Sequence, residues 1–592
     1  MNQALIKDRN RFIEAYSKAT NAATGSAVDA NANITQKTLA SLESELYKPL
    51  TIAINRERVT SYMTDDRRKQ YLSDLESHLI YTNDETSLKP YCASISLYPF
   101  LLEGTKCIGG VSGAPKNLQS FCGSFVNFIY QVASNFAGAV ATVEYLHYFD
   151  YFARKTYGKD YMKCYGPQVL QEMQGVIYAM NQPASARGDQ AVFWNISVFD
   201  KPYFNAMFGE FFYPDGTQPD YESVRILQDV FMDWFREERK KELLTFPVVT
   251  ASHLIDKETK EYKDQAFLEA RCNDMANGLS FFVYVSDSAD SLASCCRLRN
   301  ELADNTFSYS LGAGGVVTGS AQVITLNLNR AVRYYGVDNL DVVIEDIQRY
   351  LVAHRDMYKH YIDSGLLPVY TAGIMDLDKQ FLTIGLNGIV EAAEFCGLTA
   401  GDNEEYREFL KTILKICSDA NKQALKDTGI RFNTEFVPAE NLGVKFAQWD
   451  KEAGLNPNSE VYNSYFYRPE DSSVSIVDKF SLFGNDITQH LDGGSALHLN
   501  LGHIMTFKQA VSLYNLAAKH GVPYWTFNVL STCCNRCGHI DPETYASCPK
   551  CESTDIDYAT RIIGYLKRIS NFSKDRQVEA GLRKYHKQEG VK

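Results

Sequence analysis

The chain has 592 residues, a formal charge of -12 and 22% charged residues. That length admits a large core and more than one domain, whereas the acidic balance excludes bulk nucleic-acid binding, which needs a basic face for phosphates. Aromatic residues at 12%, 37 of them tyrosines included, exclude a disordered chain, and no uninterrupted apolar run reaches the ~18 residues of a membrane span.

Residues 1–85 read as polar-faced helices, with charge-rich pieces such as Arg56-Glu57-Arg58 and Asp65-Asp66-Arg67-Arg68-Lys69. The opening MNQALIKDRNRF lacks the charged-then-apolar pattern of an export signal. The 14 cysteines are therefore expected to be reduced thiols in a cytoplasmic protein, serving metal and redox chemistry. From about residue 86, short apolar runs alternate with amphipathic stretches. Residues 93–99, 281–285 and 323–328 read as buried strands. Residues 120–156, 224–244, 345–364 and 404–426 read as helices, with the apolar stretch 125–143 inside a buried one. Such alternation predicts an α/β fold with a largely parallel sheet. There is no internal repeat, and the predicted division is 1–85, 86–530 and 531–592.

Cys534-Asn-Arg-Cys537 and Cys548-Pro-Lys-Cys551 are two CxxC pairs with ten residues between them. This spacing aims four thiolates at one tetrahedral zinc ion, and the doubling argues against a lone redox CxxC. Cys533 remains an alternative to Cys534, although only Cys534 keeps the two-residue gap. Next comes Arg561-Ile-Ile-Gly564-Tyr565, which taken alone is a glycine at a tight turn. Upstream, Cys295-Cys296-Arg297-Leu298 follows a predicted strand. These adjacent thiols are too close for an ordinary unstrained disulfide. Cys92 opens another strand. Gly385-Leu-Asn387-Gly388, and His490-Leu-Asp-Gly493-Gly494-Ser495 followed by His498, read by default as glycine turns or helix caps, and either could open a helix whose free amides bind phosphate. A P-loop motif is absent.

The order of Cys-Cys-Arg, four-cysteine ribbon and RIIGY resembles the anaerobic (class III) ribonucleotide reductases, members of the glycyl radical enzymes. The resemblance runs from about residue 30 to 590. It implies a ten-stranded α/β barrel, built from two five-stranded halves around a central finger loop, followed by a C-terminal zinc-binding and glycyl radical domain. Gly564 then carries the radical: its α-hydrogen is unshielded by a Cβ, and the flanking amides delocalise the unpaired electron. Cys296 becomes the thiyl radical that attacks the ribose, and Cys92 is the second active-site thiol. Asn181, Gln182, Gly493, Gly494, Ser495 and Ser320 would line the nucleotide. Ser320 stands where the formate-using subgroup places an asparagine. Together with the extra thiol Cys295, this favours a thioredoxin- or glutaredoxin-like electron donor, with formate as the alternative.

The implied cofactors are zinc and the glycyl radical itself, installed by a separate activase that cleaves S-adenosylmethionine with an iron–sulfur cluster. The implied partners are ribonucleotides (triphosphates, with diphosphates as the alternative), dNTP and ATP effectors and a second copy in a homodimer, with no nucleic acid and no membrane. Asp29-Ala-Asn-Ala-Asn-Ile34 resembles the segment that opens the family's catalytic part, and no ATP-cone is recognised before it. Two other readings stand beside this one. Another glycyl radical enzyme, such as a formate-lyase or dehydratase, would lack the ribbon. A non-catalytic zinc-ribbon protein would not need so large an acidic body.

Overall fold

The computed structural model describes residues 3–21, 37–183, 191–289, 291–293, 299–301, 317–437, 441–455, 457–562 and 564–586. Cys295, Cys296 and the segment 29–34 lie outside the described residues. The strands before residue 530 are β1 (Ile80–Thr82), β2 (Cys92–Ser94), β3 (Val140–Ala141), β4 (Trp194–Phe199), β5 (Val248–Leu254), β6 (Phe282–Ser286), β7 (Ser291–Ala293), β8 (Arg299–Glu301), β9 (Thr318–Asn327), β10 (Gln380–Asn387), β11 (Phe432–Glu435), β12 (Leu497–Asn500) and β13 (Tyr524–Asn528).

Ten of these strands form one sheet in the order β11-β10-β9-β2-β3-β4-β5-β6-β13-β12, with β1 paired to β9 off this path. Strands β2 to β6 are parallel neighbours in chain order. So are β9, β10 and β11, and so are β12 and β13. The two sets run antiparallel to each other where β2 meets β9 and β6 meets β13. The last gap closes between β11 and the entry to β12. There Glu435 bridges Gly494 in parallel, Gly493 N–H donates to the Thr434 carbonyl at 2.8 Å, and Thr434 N–H donates to Asp492 at 2.7 Å. The result is a barrel of two five-stranded halves, the fold implied by the resemblance.

Residue alternation fixes the two faces of the barrel wall. In β4 and β5, Ile196, Val198, Val249 and Ala251 join the main core, which the surrounding helices share. Their neighbours Asn195, Ser197, Thr250 and Ser252 point the other way, because successive strand residues face opposite sides. The inner face is thus polar, which is unlike the unbroken apolar runs usual for buried parallel strands. Helices cover the outside and end on ordinary signals. Phe507–His520 starts on a Thr506–Gln509 capping box and stops at Gly521, φ +68°. The N-terminal helices Leu39–Thr60 and Asp65–Glu76 lean on the helix Leu340–Asp363, with Tyr350 O–H donating to Asp74 at 2.7 Å and Arg67 paired to Asp346.

Three expectations are corrected. The helix predicted over 120–156 is two helices, Leu118–Ala133 and Tyr145–Tyr157, with β3 between them. The Ser134 hydroxyl caps the Gln131 carbonyl, and Gly138 N–H turns to the Tyr91 carbonyl at 2.7 Å. A two-residue buried strand and a buried helix look alike in an apolar run. The strand predicted over 93–99 ends at Ser94, because Pro99 lies in the first turn of the helix Tyr98–Glu103. Gly493-Gly494-Ser495 opens no helix and leads into β12. A Cβ at Gly493 would lie 2.5 Å from the Thr434 carbonyl, and Gly494 has φ +93°. These glycines therefore serve the closure of the barrel.

Beyond residue 530 a separate four-stranded antiparallel sheet, in the order β15-β14-β16-β17, comprises β14 (Ser531–Cys534), β15 (Ile540–Asp541), β16 (Ile556–Arg561) and β17 (Leu566–Arg568). Among the described residues, no helix is long and apolar enough to cross a membrane.

Candidate active site

Cys92 and Ser320 stand directly opposite each other across the antiparallel β2–β9 seam, and Ser94 stands opposite Thr318. Opposed residues share a face, so all four belong to the inner wall. The Ser320 hydroxyl lies 2.7 Å from Thr383 Oγ1, which donates to Asn433 Oδ1 at 2.7 Å. This hydroxyl chain ends on an amide whose Nδ2 has no partner in the protein. Ser94 Oγ, Asn195 Nδ2, Ser252 Oγ, Thr318 Oγ1 and Ser495 Oγ are likewise buried without a partner. Native proteins leave few such groups unpaired, and Ser94, Asn195, Ser252 and Thr318 stand at inward positions of their strands, so the barrel interior offers hydrogen-bonding groups to a polar molecule. Of this set, only Ser320 and Ser495 are expected from the sequence to line the nucleotide. The rest carry no motif.

The hairpin of β16 and β17 packs against this wall. Arg561 pairs with Leu566, and Ile562, Gly564 and Tyr565 lie in the tip between them. Ile562, Gly564 and Tyr565 are buried. The Tyr565 ring meets Phe193 edge-on at 5.0 Å and Phe246 at 5.5 Å. Phe193, two residues before the inward Asn195, is itself inward and packs against the small cluster formed by Cys92 and Ala139. Tyr565, next to Gly564, thus shares the Phe193 ring with the cluster that contains Cys92. At the hairpin base, Arg561 donates to the Ser280 hydroxyl at 2.5 Å and to the Ser280 carbonyl at 2.8 Å. Its guanidinium lies over the inward ring of Phe282, 5.6 Å from the centroid. Burial pulls the Arg561 pKa down to about 10, partly offset by Tyr524.

The four ribbon cysteines converge. The Sγ atoms of Cys534, Cys537, Cys548 and Cys551 all lie within 4.8 Å of one another. The Cys534–Cys551 and Cys537–Cys548 separations are 3.6 and 3.7 Å. A tetrahedral zinc with Zn–S of ~2.3 Å needs sulfur–sulfur edges of about 3.8 Å, so the cluster is compatible with zinc. Backbone N–H groups of Cys537 and Lys550 point at Cys534 and Cys548 Sγ, each at 3.4 Å, as suits thiolates. Cys533 stays out: it packs with Ile540, Ala559 and Leu566, and burial pushes its thiol up to about 11. That apolar cluster is small, at ~1.5–3 kcal/mol per large side chain, against an apparent metal contribution on the order of 10 kcal/mol. Chelation is therefore expected to release one zinc per chain and unfold the ribbon while the barrel's far-UV circular dichroism persists. Retention of ribbon amide protection after metal loss would contradict this.

The remaining sequence candidates sit differently. The Asn181 side chain donates to the Ile177 and Phe246 carbonyls and accepts from Phe246 N–H. It braces the Phe246 ring that touches Tyr565. Gln182 is exposed and donates weakly to the Tyr178 carbonyl at 3.4 Å. Gly388 does precede a helix, Ile389–Phe395, with φ +82°. His498 is buried between Phe282 and Tyr465, with Nδ1 at 3.4 Å from Asn528 Nδ2.

The arrangement is a closed polar barrel into whose wall a C-terminal glycine hairpin is packed beside a zinc-ribbon cluster. The sequence model of the family described as "Anaerobic ribonucleoside-triphosphate reductase" matches residues 31–586. A structure titled "Anaerobic ribonucleotide reductase" superposes with a TM-score of 0.85 at 25% identity, covering 99% of this chain and 93% of that one. The enzyme from Thermotoga maritima in complex with dATP and CTP gives 0.81 at 25% identity, covering 98% of each. Among curated proteins, the anaerobic ribonucleoside-triphosphate reductase of Haemophilus influenzae is 28% identical over 180 residues. That stretch is 28% of this chain and 25% of the relative. The chain belongs to the anaerobic ribonucleoside-triphosphate reductase family.

Proposed function

We propose that this chain reduces ribonucleotides to 2′-deoxyribonucleotides under anaerobic conditions, with Gly564 storing a radical and Cys296 using it. The observation that carries this reading is the burial of the Gly564 hairpin tip against Phe193, which also packs on the cluster of Cys92 and Ala139. In the proposed cycle the Gly564 radical takes the hydrogen of the Cys296 thiol, and the thiyl removes the ribose 3′-hydrogen. The 2′-hydroxyl leaves as water. Two thiols, Cys92 and Cys295, supply two electrons and two protons and become a disulfide; Cys296 returns the 3′-hydrogen. The inward groups of Ser320 and Asn195, with the buried Ser495 hydroxyl, would hold the ribose and its phosphates. A separate S-adenosylmethionine-cleaving activase installs the radical, and zinc holds the ribbon. The complex of the Thermotoga maritima enzyme with dATP and CTP supports triphosphate substrates and dNTP effectors here. The expected working form is a cytoplasmic homodimer.

The disulfide needs an external dithiol, and Ser320 opposite Cys92 gives no amide to hold formate. A thioredoxin- or glutaredoxin-like donor is therefore the preferred reductant. Activated protein incubated anaerobically with mixed ribonucleotides should form deoxynucleotides with thioredoxin and not with formate alone. Product with formate alone would overturn the reductant, and no product with either would overturn the activity.

A further inference from the structure

The base of the Gly564 hairpin is gripped from two sides. On the barrel side Arg561 reaches Ser280. On the other side the chain returns beneath the hairpin after the helix Lys574–Leu582. There Arg583, its side chain 1% exposed, turns its guanidinium onto the end of β16. Nη1 donates to the Arg561 carbonyl at 2.9 Å and Nη2 to the Ile562 carbonyl at 2.7 Å. The same Nη2 donates to Glu579 at 2.7 Å, and the other oxygen of Glu579 is paired with Arg576. The tail then runs along the barrel: His586 N–H donates to the Asn500 carbonyl at 2.9 Å and Gly502 N–H to the His586 carbonyl at 2.8 Å.

A guanidinium is a rigid planar fork, so two carbonyls bound to it are fixed in relative orientation. The two carbonyls here belong to the residues on which the chain turns into the tip, and their orientation sets the direction in which it travels toward Gly564. Hydrogen transfer depends steeply on placement, with a 1 Å error costing on the order of 100-fold. We propose that Arg583, anchored by Glu579, is a positioning residue for the radical: it fixes the Arg561 and Ile562 carbonyls and thereby sets where Gly564 stands relative to its partner thiol. The inference rests on Gly564 being the radical carrier.

The test uses the full chain, activated anaerobically, as wild type and as Arg583→Gln, Arg583→Lys and Glu579→Gln. Glycyl spins per chain are counted by electron paramagnetic resonance, and deoxynucleotide turnover is expressed per spin. Both Arg583 variants should keep spins within about twofold of wild type while turnover per spin falls roughly tenfold or more. Lysine keeps the charge but cannot hold two carbonyls in one plane, so it should not rescue. Turnover per spin unchanged in both variants, or spins and turnover lost in proportion, would overturn the proposal. If zinc content and melting show that Arg583→Gln is unfolded, the same ratio in Glu579→Gln decides, since that change removes the charge that anchors the fork without removing the fork. Absence of spins in activated wild type would instead remove the glycyl reading, and this inference with it.

Discussion

Activated Gly564→Ala protein is expected to show no glycyl radical signal and to form deoxynucleotide at background level. The reason lies in the Cα. Glycine's α-hydrogen is unshielded, and its radical is planar and conjugated with both flanking amides. A methyl group blocks approach to that hydrogen and disfavours the planar form inside a packed tip. The tip is buried, so the methyl also crowds its neighbours, at a cost of about 1–3 kcal/mol. That sum is enough to disturb the hairpin locally and too small to unfold the barrel. Zinc content and the main thermal transition should therefore match wild type while the radical is lost. A normal radical signal in this variant, or turnover above a few per cent, would place the radical elsewhere.

Cys296→Ser should behave in the opposite way toward the signal and the same way toward the product. The glycyl radical is still formed and persists, because Gly564 and its hairpin are untouched. No deoxynucleotide appears, because the next hydrogen transfer has no donor. An S–H bond is close in strength to an activated ribose C3′–H bond, so a thiyl takes and returns hydrogen in nearly balanced steps. A serine O–H bond is far stronger, and the glycyl radical cannot abstract from it. The discriminating measurement is spins and product in the same sample. Product from Cys296→Ser would reassign the thiyl, with Cys295 the first residue to test.

Several parts of this molecule could be read from residues alone because their geometry is local. The CxxC spacing carries its own tetrahedron, and the structure brings Cys534, Cys537, Cys548 and Cys551 together while Cys533 packs into the ribbon core. The barrel was legible through the resemblance and much less through pattern. Strands β4 (WNISVF), β5 (VVTASHL) and β12 (LHLN) mix polar inner residues with apolar outer ones, so a search for continuous apolar runs passes over them. The two-residue β3 lies between apolar helices and is hidden by them. His490-Leu-Asp-Gly493-Gly494-Ser495 shows the converse: glycines that look like the opening of a helix lie where β11 and β12 meet.

Long-range apposition was out of reach of sequence reading. Cys92 and Ser320 carry separate sequence signals, and only the β2–β9 register sets them face to face. Arg583 has no motif signal, and its place under Arg561 and Ile562 depends on the path of the tail.

The most direct test of the central claim is mass spectrometry of the wild-type chain after anaerobic activation and brief exposure to oxygen. A radical on Gly564 predicts backbone cleavage there, leaving residues 1–563 and removing a C-terminal piece of 29 residues (592 − 563). An intact 592-residue chain after a confirmed radical signal would contradict the assignment of that radical to Gly564.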